Sequence, residues 1–297
     1  MKNRHLESLS PKFKLKPTPE SALIFCSSSD IGVRKNLGRN GARFGPQCIL
    51  NNLKKMQDHL AINEIAVIEV SDQSEELINF EKAQEKESET IKSCLAQTLV
   101  RKSIHLGGGH DHVYPLLRAL EYSKKQIIIL NFDAHCDTRV DKIHHSGTPF
   151  RDFDMLKPTQ TSLIQIGVHH YANSTSTLGN LTNIQQSLIY KKDLVDSELF
   201  HQVITNLEKI EISKDAIFIL SLDADGLSAE EMEAVSAPNH NGFGQNLVRK
   251  VISYLQQNHP DHQQIFGIYE YNPIMDNLSQ KGSRIIAGLI YDFFQES

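Results

Sequence analysis

The sequence predicts an α/β protein of three layers, with a mostly parallel central sheet of about eight strands between two layers of helices. Three observations predict it. Short runs of aliphatic and β-branched residues recur along the whole chain. Little polar alternation interrupts them, so each reads as a strand covered on both faces. Stretches with apolar spacing near 3.6 lie between several of them, and strand–helix alternation favours parallel pairing.

The elements follow in order. The opening "MKNRHLESLSPKFKLKPTPE" has no apolar core of the kind a secretory signal needs, so residues 1–20 are read as an extension. Residues 21–297 are read as one catalytic domain, because no linker, repeat or low-complexity tract divides them. The strand candidates are "ALIFC", "EIAVIEV", "KSIHLGG", "QIIILNF", "TSLIQIGV", "QSLIY", "AIFILSLDAD" and "IFGIYEYNP". The helix candidates are "GPQCILNNLKKMQDHL", the highly charged "EELINFEKAQEKESETIKSCLAQTLV", "VYPLLRALEYSKK", "SELFHQVITNLEKI", "GQNLVRKVISYLQQ" and "RIIAGLIYDFFQ".

Composition narrows the function. The formal net charge is −5, which leaves no global basic footprint for nucleic acid. No apolar run approaches the length of a membrane span. Cys26, Cys48, Cys94 and Cys136 form no CxxC pair, which fits a reducing cytoplasm. Histidine is unusually frequent, at 14 residues.

In parallel sheets, ligands bind beyond the carboxyl ends of the strands. There the polar residues fall: His110 after "HLGGG", Asp133, His135 and Asp137 in "DAHCD", Asp223 and Asp225 in "SLDAD", and Glu270 in "YEYNP". Strand residues two apart share a face, so the members of each motif are expected to converge. Four carboxylates and two imidazoles exceed what one tetrahedral zinc needs. They suit two harder divalent ions, with manganese the natural candidate. Such pairs lie about 3.5–4 Å apart and lower the pKa of a shared water. Taken alone, "DAHCD" is also compatible with polar residues facing water at a strand end. "GGGH" lacks the lysine of a phosphate loop, and Gly107, Gly108 and Gly109 read as a tight turn that lets backbone approach the ions. Cys136 reads as a packing residue, and His112, His144 and His145 as surface or supporting residues.

"GGGH", "DAHCD" and "SLDAD" together resemble the ureohydrolase family, which includes arginase and agmatinase. The resemblance covers nearly the whole chain. It implies an arginase-like fold, two Mn2+ per chain held by His110, Asp133, His135, Asp137, Asp223 and Asp225, and a homo-oligomer. "SSSDIGVRKNLGRNGARFGPQCI", "HHSGTPFRDF" and "VSAPNHNGF" resemble the formimidoylglutamase branch, whereas Ser228-Ala229 replaces the Asp-Pro usual after SxDxDG in the arginase branch. The implied reaction converts N-formimidoyl-L-glutamate and water to L-glutamate and formamide, in histidine degradation. By resemblance, Asp137 relays a proton to the leaving amine and Glu270 pairs with the cationic amidine. Arg139, two residues beyond Asp137, is expected to hold the substrate's carboxylate, with Ser146 and Thr148 adding hydroxyl donors. Arg34, Arg39 and Arg43 read as a solvated loop. Three other readings stay open: urea release from guanidinobutyrate, agmatine or arginine; a catalytically silent metal-binding homologue; and a zinc deacetylase-like site.

Overall fold

The structure is a computed structural model that describes residues 7–295. Nine strands form one sheet: β1 (Phe13–Lys14), β2 (Ala22–Ser27), β3 (Ile65–Glu69), β4 (Lys102–Gly107), β5 (Ile127–Phe132), β6 (Thr161–Val168), β7 (Gln185–Tyr190), β8 (Ile217–Asp223) and β9 (Gln263–Tyr269). Their order is β1-β3-β2-β4-β9-β8-β5-β6-β7, and every neighbouring pair runs parallel. Each of the eight aliphatic runs becomes a strand. The ninth, β1, lies in the 1–20 extension and pairs with β3 at one edge. Residues 1–6 of that extension lie outside the described residues.

The helices are α1 (Ile31–Lys35), α2 (Gly45–Leu53), α3 (Gln73–Ile78), α4 (Phe80–Leu95), α5 (Val113–Glu121), α6 (Pro149–Met155), α7 (Asp196–Leu207), α8 (Gln245–Asn258) and α9 (Lys281–Phe294). The pleat sorts strand residues between two layers. Ile128 and Leu130 of β5 belong to the same apolar layer as Ile49 of α2, Leu199 of α7, Val248 of α8 and Ile290 of α9. Their neighbours Ile127 and Ile129 belong to the opposite layer, with Ile91 of α4, Leu116 of α5 and Phe153 of α6. The sheet is thus covered on both faces, which explains its uninterrupted apolar runs.

The long charged stretch after β3 is two helices rather than one. Asn79 sits between α3 and α4 with extended backbone, and its side chain accepts the Lys82 N–H at 3.0 Å. An asparagine oxygen is a strong N-cap, so the second helix starts afresh there.

β4, β9, β8 and β5 lie side by side at the centre of the sheet. These strands carry "GGGH", "YEYNP", "SLDAD" and "DAHCD" at their carboxyl ends. Motifs separated by up to 160 residues in the chain therefore meet across adjacent strand ends.

Candidate metal centre

The motifs converge, but not through strand pleating. β5 ends at Phe132, and Asp133, His135 and Asp137 all lie in the loop beyond it. Asp133 Oδ1 accepts the backbone N–H of His135 at 2.7 Å. Asp223, the last residue of β8, does the same for Asp225 at 2.8 Å. Each first aspartate thus closes a turn over two residues and aims the next ligand into the site. Asp137 holds φ at +50°, a left-handed backbone that bulky residues adopt at a cost. The expectation of alternating strand positions is corrected: two side-chain-capped turns and the left-handed backbone at Asp137 aim the loop ligands into the site.

The first group gathers on His110 Nδ1, which lies 3.2 Å from Asp133 Oδ2, 2.8 Å from Asp137 Oδ2 and 3.2 Å from Asp223 Oδ2. The second gathers on His135 Nδ1, 3.4 Å from both Asp133 Oδ1 and Asp225 Oδ2. His110, Asp133, Asp137 and Asp223 could hold one ion, and Asp133, His135 and Asp225 a second. Asp133 belongs to both groups, so the two ions would be neighbours.

The donor atoms have the properties a cation requires. His110 Nδ1, Asp133 Oδ2 and Asp225 Oδ1 are buried without a hydrogen-bond partner. Buried polar atoms left unpaired are expensive, and a divalent cation supplies what they lack. Burial pushes the Asp223 carboxyl well up, and Asp225 and Asp133 beside it push the same way. Burial, then Asp133, raises Asp137 as well. Without a positive charge among them, these acids resist ionising together. The donors are mainly carboxylates, with no thiolate, which favours a hard ion such as manganese over zinc.

Other residues support the ligands. Ser221 Oγ lies 2.9 Å from His110 Nε2, both fully buried, and thereby leaves Nδ1 to face the acids. The His110 ring stacks on Tyr269 at 5.0 Å and meets the edge of Phe150 at 5.6 Å. Ser221 was legible in principle: it stands two residues before Asp223 on β8 and shares its face. Tyr269 and Phe150 carry no sequence signal for this role.

Glu270 lies at the rim of the first group. Its Oε1 accepts the His110 backbone N–H at 3.1 Å, and its φ is +64°. Burial raises its pKa to about 8, assisted by Asp225. A cationic partner beside this buried acid would offset the penalty and favour its ionised form.

Arg139, Asp137 and His135 line a 330 Å³ cleft with Asn173, Ser174 and Thr177. Ser146 Oγ and the Arg139 guanidinium are joined through Asn36. The Thr148 hydroxyl is engaged elsewhere: it donates toward Asp152 Oδ2 at 2.6 Å and receives the His145 N–H at 3.1 Å. These bonds shape the turn that carries Ser146 and Thr148. Cys136 is fully buried, with its thiol pushed up to about 12 by burial and then by Asp133. It packs and does not react. Arg39 bonds the Ser236 backbone carbonyl and Arg43 lies over the Phe44 ring.

The glycine triplet is a close-approach device, though not toward the ions. A Cβ on Gly108 would fall 1.9 Å from the Ser29 carbonyl oxygen, and one on Gly107 would fall 2.4 Å from the Tyr269 ring. His112 is fully buried. Its Nδ1 meets Glu87 Oε2 at 2.9 Å, and Glu87 also receives the Ser27 hydroxyl at 2.6 Å. Glu76 faces His112 from α3, at 3.9 Å. This third cluster clamps α3 and α4 to the turn that carries His110.

Comparison with known proteins gives the family and the fold. A formimidoylglutamase from Klebsiella pneumoniae subsp. pneumoniae is 29% identical over 94% of this chain and 87% of its own length. One from Rhodococcus jostii is 26% identical over 92% and 85%. Among solved structures, formimidoylglutamase from Bacillus subtilis subsp. subtilis superimposes with a TM-score of 0.80 at 19% identity, covering 100% of this chain and 93% of that one. Trypanosoma cruzi formiminoglutamase with Mn2+2 gives 0.76 at 21% identity and 97% of both chains. The arginase family model matches residues 22–295, nearly the whole described fold: this chain belongs to the arginase family.

Proposed function

We propose that this chain is a binuclear manganese hydrolase of linear amidines, acting on N-formimidoyl-L-glutamate and water to give L-glutamate and formamide. The observation that carries the reading is the pair of ligand groups sharing Asp133, with buried donor atoms that no protein group satisfies. The formimidoylglutamase relatives, matched over nearly the full chain, support the substrate.

Two manganese ions, when bound by His110, Asp133, Asp137 and Asp223 and by Asp133, His135 and Asp225, supply Lewis acidity toward water and toward developing negative charge. The remaining work falls to the side chains. Glu270 pairs with the amidinium of the substrate and holds its carbon over the acid cluster. Asp137, whose Oδ2 lies 2.8 Å from His110 Nδ1 within the first ligand group, accepts a proton from the attacking water and returns it to the departing amine nitrogen. The C–N bond to glutamate breaks, the glutamate nitrogen leaves as an amine, and the amidine carbon leaves as formamide. Arg139 at the mouth of the cleft takes a substrate carboxylate, since a guanidinium matches it with two parallel hydrogen bonds. It opposes a cationic tail such as agmatine's. The four cysteines are all free thiols, which supports a cytoplasmic setting. A homo-oligomer belongs to the same proposal, on family resemblance.

The test is product analysis. Manganese-loaded protein is offered N-formimidoyl-L-glutamate, guanidinobutyrate, agmatine and arginine, and formamide, urea and ammonia are measured. Formamide from the first substrate at the highest kcat/KM is expected. Urea from a guanidino compound as the main product, or no turnover at all, overturns the assignment.

A further inference from the structure

We infer that Asn36 is a positioning residue for the anion-binding mouth of this site, setting Arg139 and Ser146 to receive one carboxylate of the substrate's tail. The inference rests on the proposed substrate and concerns a residue with no role in the metal centre. Asn36 caps the end of α1, where its N–H meets the Gly32 and Val33 carbonyls. The next residue, Leu37, has φ at +62° and turns the chain away. The Asn36 side chain is left reaching to the loop that carries Arg139, a residue of the cleft lining. Its Oδ1 accepts from Arg139 Nη1 at 2.7 Å, and its Nδ2 donates to Ser146 Oγ at 3.1 Å. These partners are 103 and 110 residues away in the chain.

A carboxamide offers an acceptor and a donor side by side without a charge. The polarity of the two bonds matters. Donation from Nδ2 occupies a lone pair of Ser146 Oγ and frees the serine hydroxyl hydrogen to point at an anion. Acceptance by Oδ1 uses one of the five guanidinium N–H donors and leaves the rest of the fork for a carboxylate. Among the described residues, the Arg139 side chain has no other hydrogen-bond partner. Its stem runs over Gly147, where an added Cβ would lie 3.3 Å from both Cδ and Nε. The loop beneath is pinned by Arg139 N–H to Gly147 O at 3.0 Å and Ser146 N–H to Gly32 O at 3.3 Å. Backbone ties therefore hold the loop, and Asn36 is left to orient the Arg139 guanidinium at the cleft and the buried Ser146 hydroxyl behind it.

The test uses full-length, manganese-loaded protein and the variants Asn36→Ala and Asn36→Asp. Two readouts are taken: KM and kcat for N-formimidoyl-L-glutamate, and calorimetric affinity for glutarate, which has two carboxylates and no amidine. Asn36→Ala is expected to raise KM and the glutarate Kd about tenfold, the usual consequence of losing a hydrogen bond to a charged group, with kcat changed less than about threefold. Asn36→Asp is expected to do more harm than alanine. It keeps the bond to Arg139 but adds a like charge where the ligand's carboxylate binds, and it loses the donor to Ser146. A residue that merely ties the loops together gives the reverse order, because aspartate is isosteric and strengthens the arginine link. Aspartate milder than alanine, unchanged constants in both variants, or a wild type that does not bind glutarate overturns the inference. Failure of the wild type to release formamide counts against the proposed reaction, while the glutarate arm still decides the role of Asn36.

Discussion

Ser221→Ala separates the two halves of the metal centre. The Ser221 hydroxyl lies 2.9 Å from His110 Nε2, and both side chains are fully buried. In the tautomer that presents a lone pair at Nδ1, Nε2 carries the proton and donates to Ser221. Alanine leaves that donor unsatisfied in a place water does not reach, at a cost of about 1–3 kcal/mol. At about 1.4 kcal/mol per factor of ten, ion affinity should fall roughly tenfold to hundredfold. His110 belongs only to the group with Asp133, Asp137 and Asp223, so only one of the two binding steps should weaken. The assay is competition of metal-free protein against a chromophoric chelator during manganese titration. Two steps are expected in the wild type, and the variant should shift one and leave the other within about twofold. Equal shifts of both steps, or none, refute the reasoning that ties Ser221 to a single ion through His110.

Arg139→Ala should raise KM for N-formimidoyl-L-glutamate by roughly tenfold or more with a smaller effect on kcat, since it removes a charge-assisted contact to the tail. Steady-state kinetics check it, and an unchanged KM removes Arg139 from the substrate site. Gly108→Ala should lower the melting temperature by roughly 5–10 °C, because its Cβ would meet the Ser29 carbonyl oxygen at 1.9 Å and overpacking of that severity costs about 3 kcal/mol. Thermal unfolding reads it out. Asn79→Ala should cost about 1 kcal/mol by removing the N-cap of α4, measured as a lower urea midpoint at constant m. Burial pushes Glu76 up to about 7, with His112 opposing the shift and Asp111 and Glu87 adding to it. Its folded pKa exceeds its unfolded one, so its contribution is full below about pH 4.5 and is lost as pH rises through about 7. Urea unfolding of Glu76→Gln at pH 5 and pH 8 should therefore show the variant gaining on wild type at the higher pH; a gap that does not change with pH contradicts it.

The fold was largely legible because a sheet buried on both faces writes itself as apolar runs, and each of the eight became a strand. β1 escaped because two residues, Phe13 and Lys14, have no periodicity to read. The single long helix over 75–100 failed at Asn79, whose capping competes with continuation of the helix and is decided by tertiary packing. At the site, residue types announced the chemistry, since acids and histidines at four strand ends need a counter-charge. The geometry that unites them was not written as pleat. Asp133 and Asp223 close turns with their own side chains, and Asp137 takes a left-handed backbone, none of which alternation can foretell. Contacts between distant loops leave the weakest trace. Nothing in the "RKNLG" stretch indicates that Asn36 meets Arg139, and nothing in "SGTPF" shows that Thr148 turns inward to Asp152.

The central claim is that two neighbouring cations share Asp133. Counting manganese per chain by native mass spectrometry, in the wild type and in the variants His110→Ala and Asp133→Ala, tests it most directly. The account predicts two ions in the wild type, one after loss of His110 and none held tightly after loss of Asp133. Two ions retained by Asp133→Ala, or one in the wild type, would contradict it.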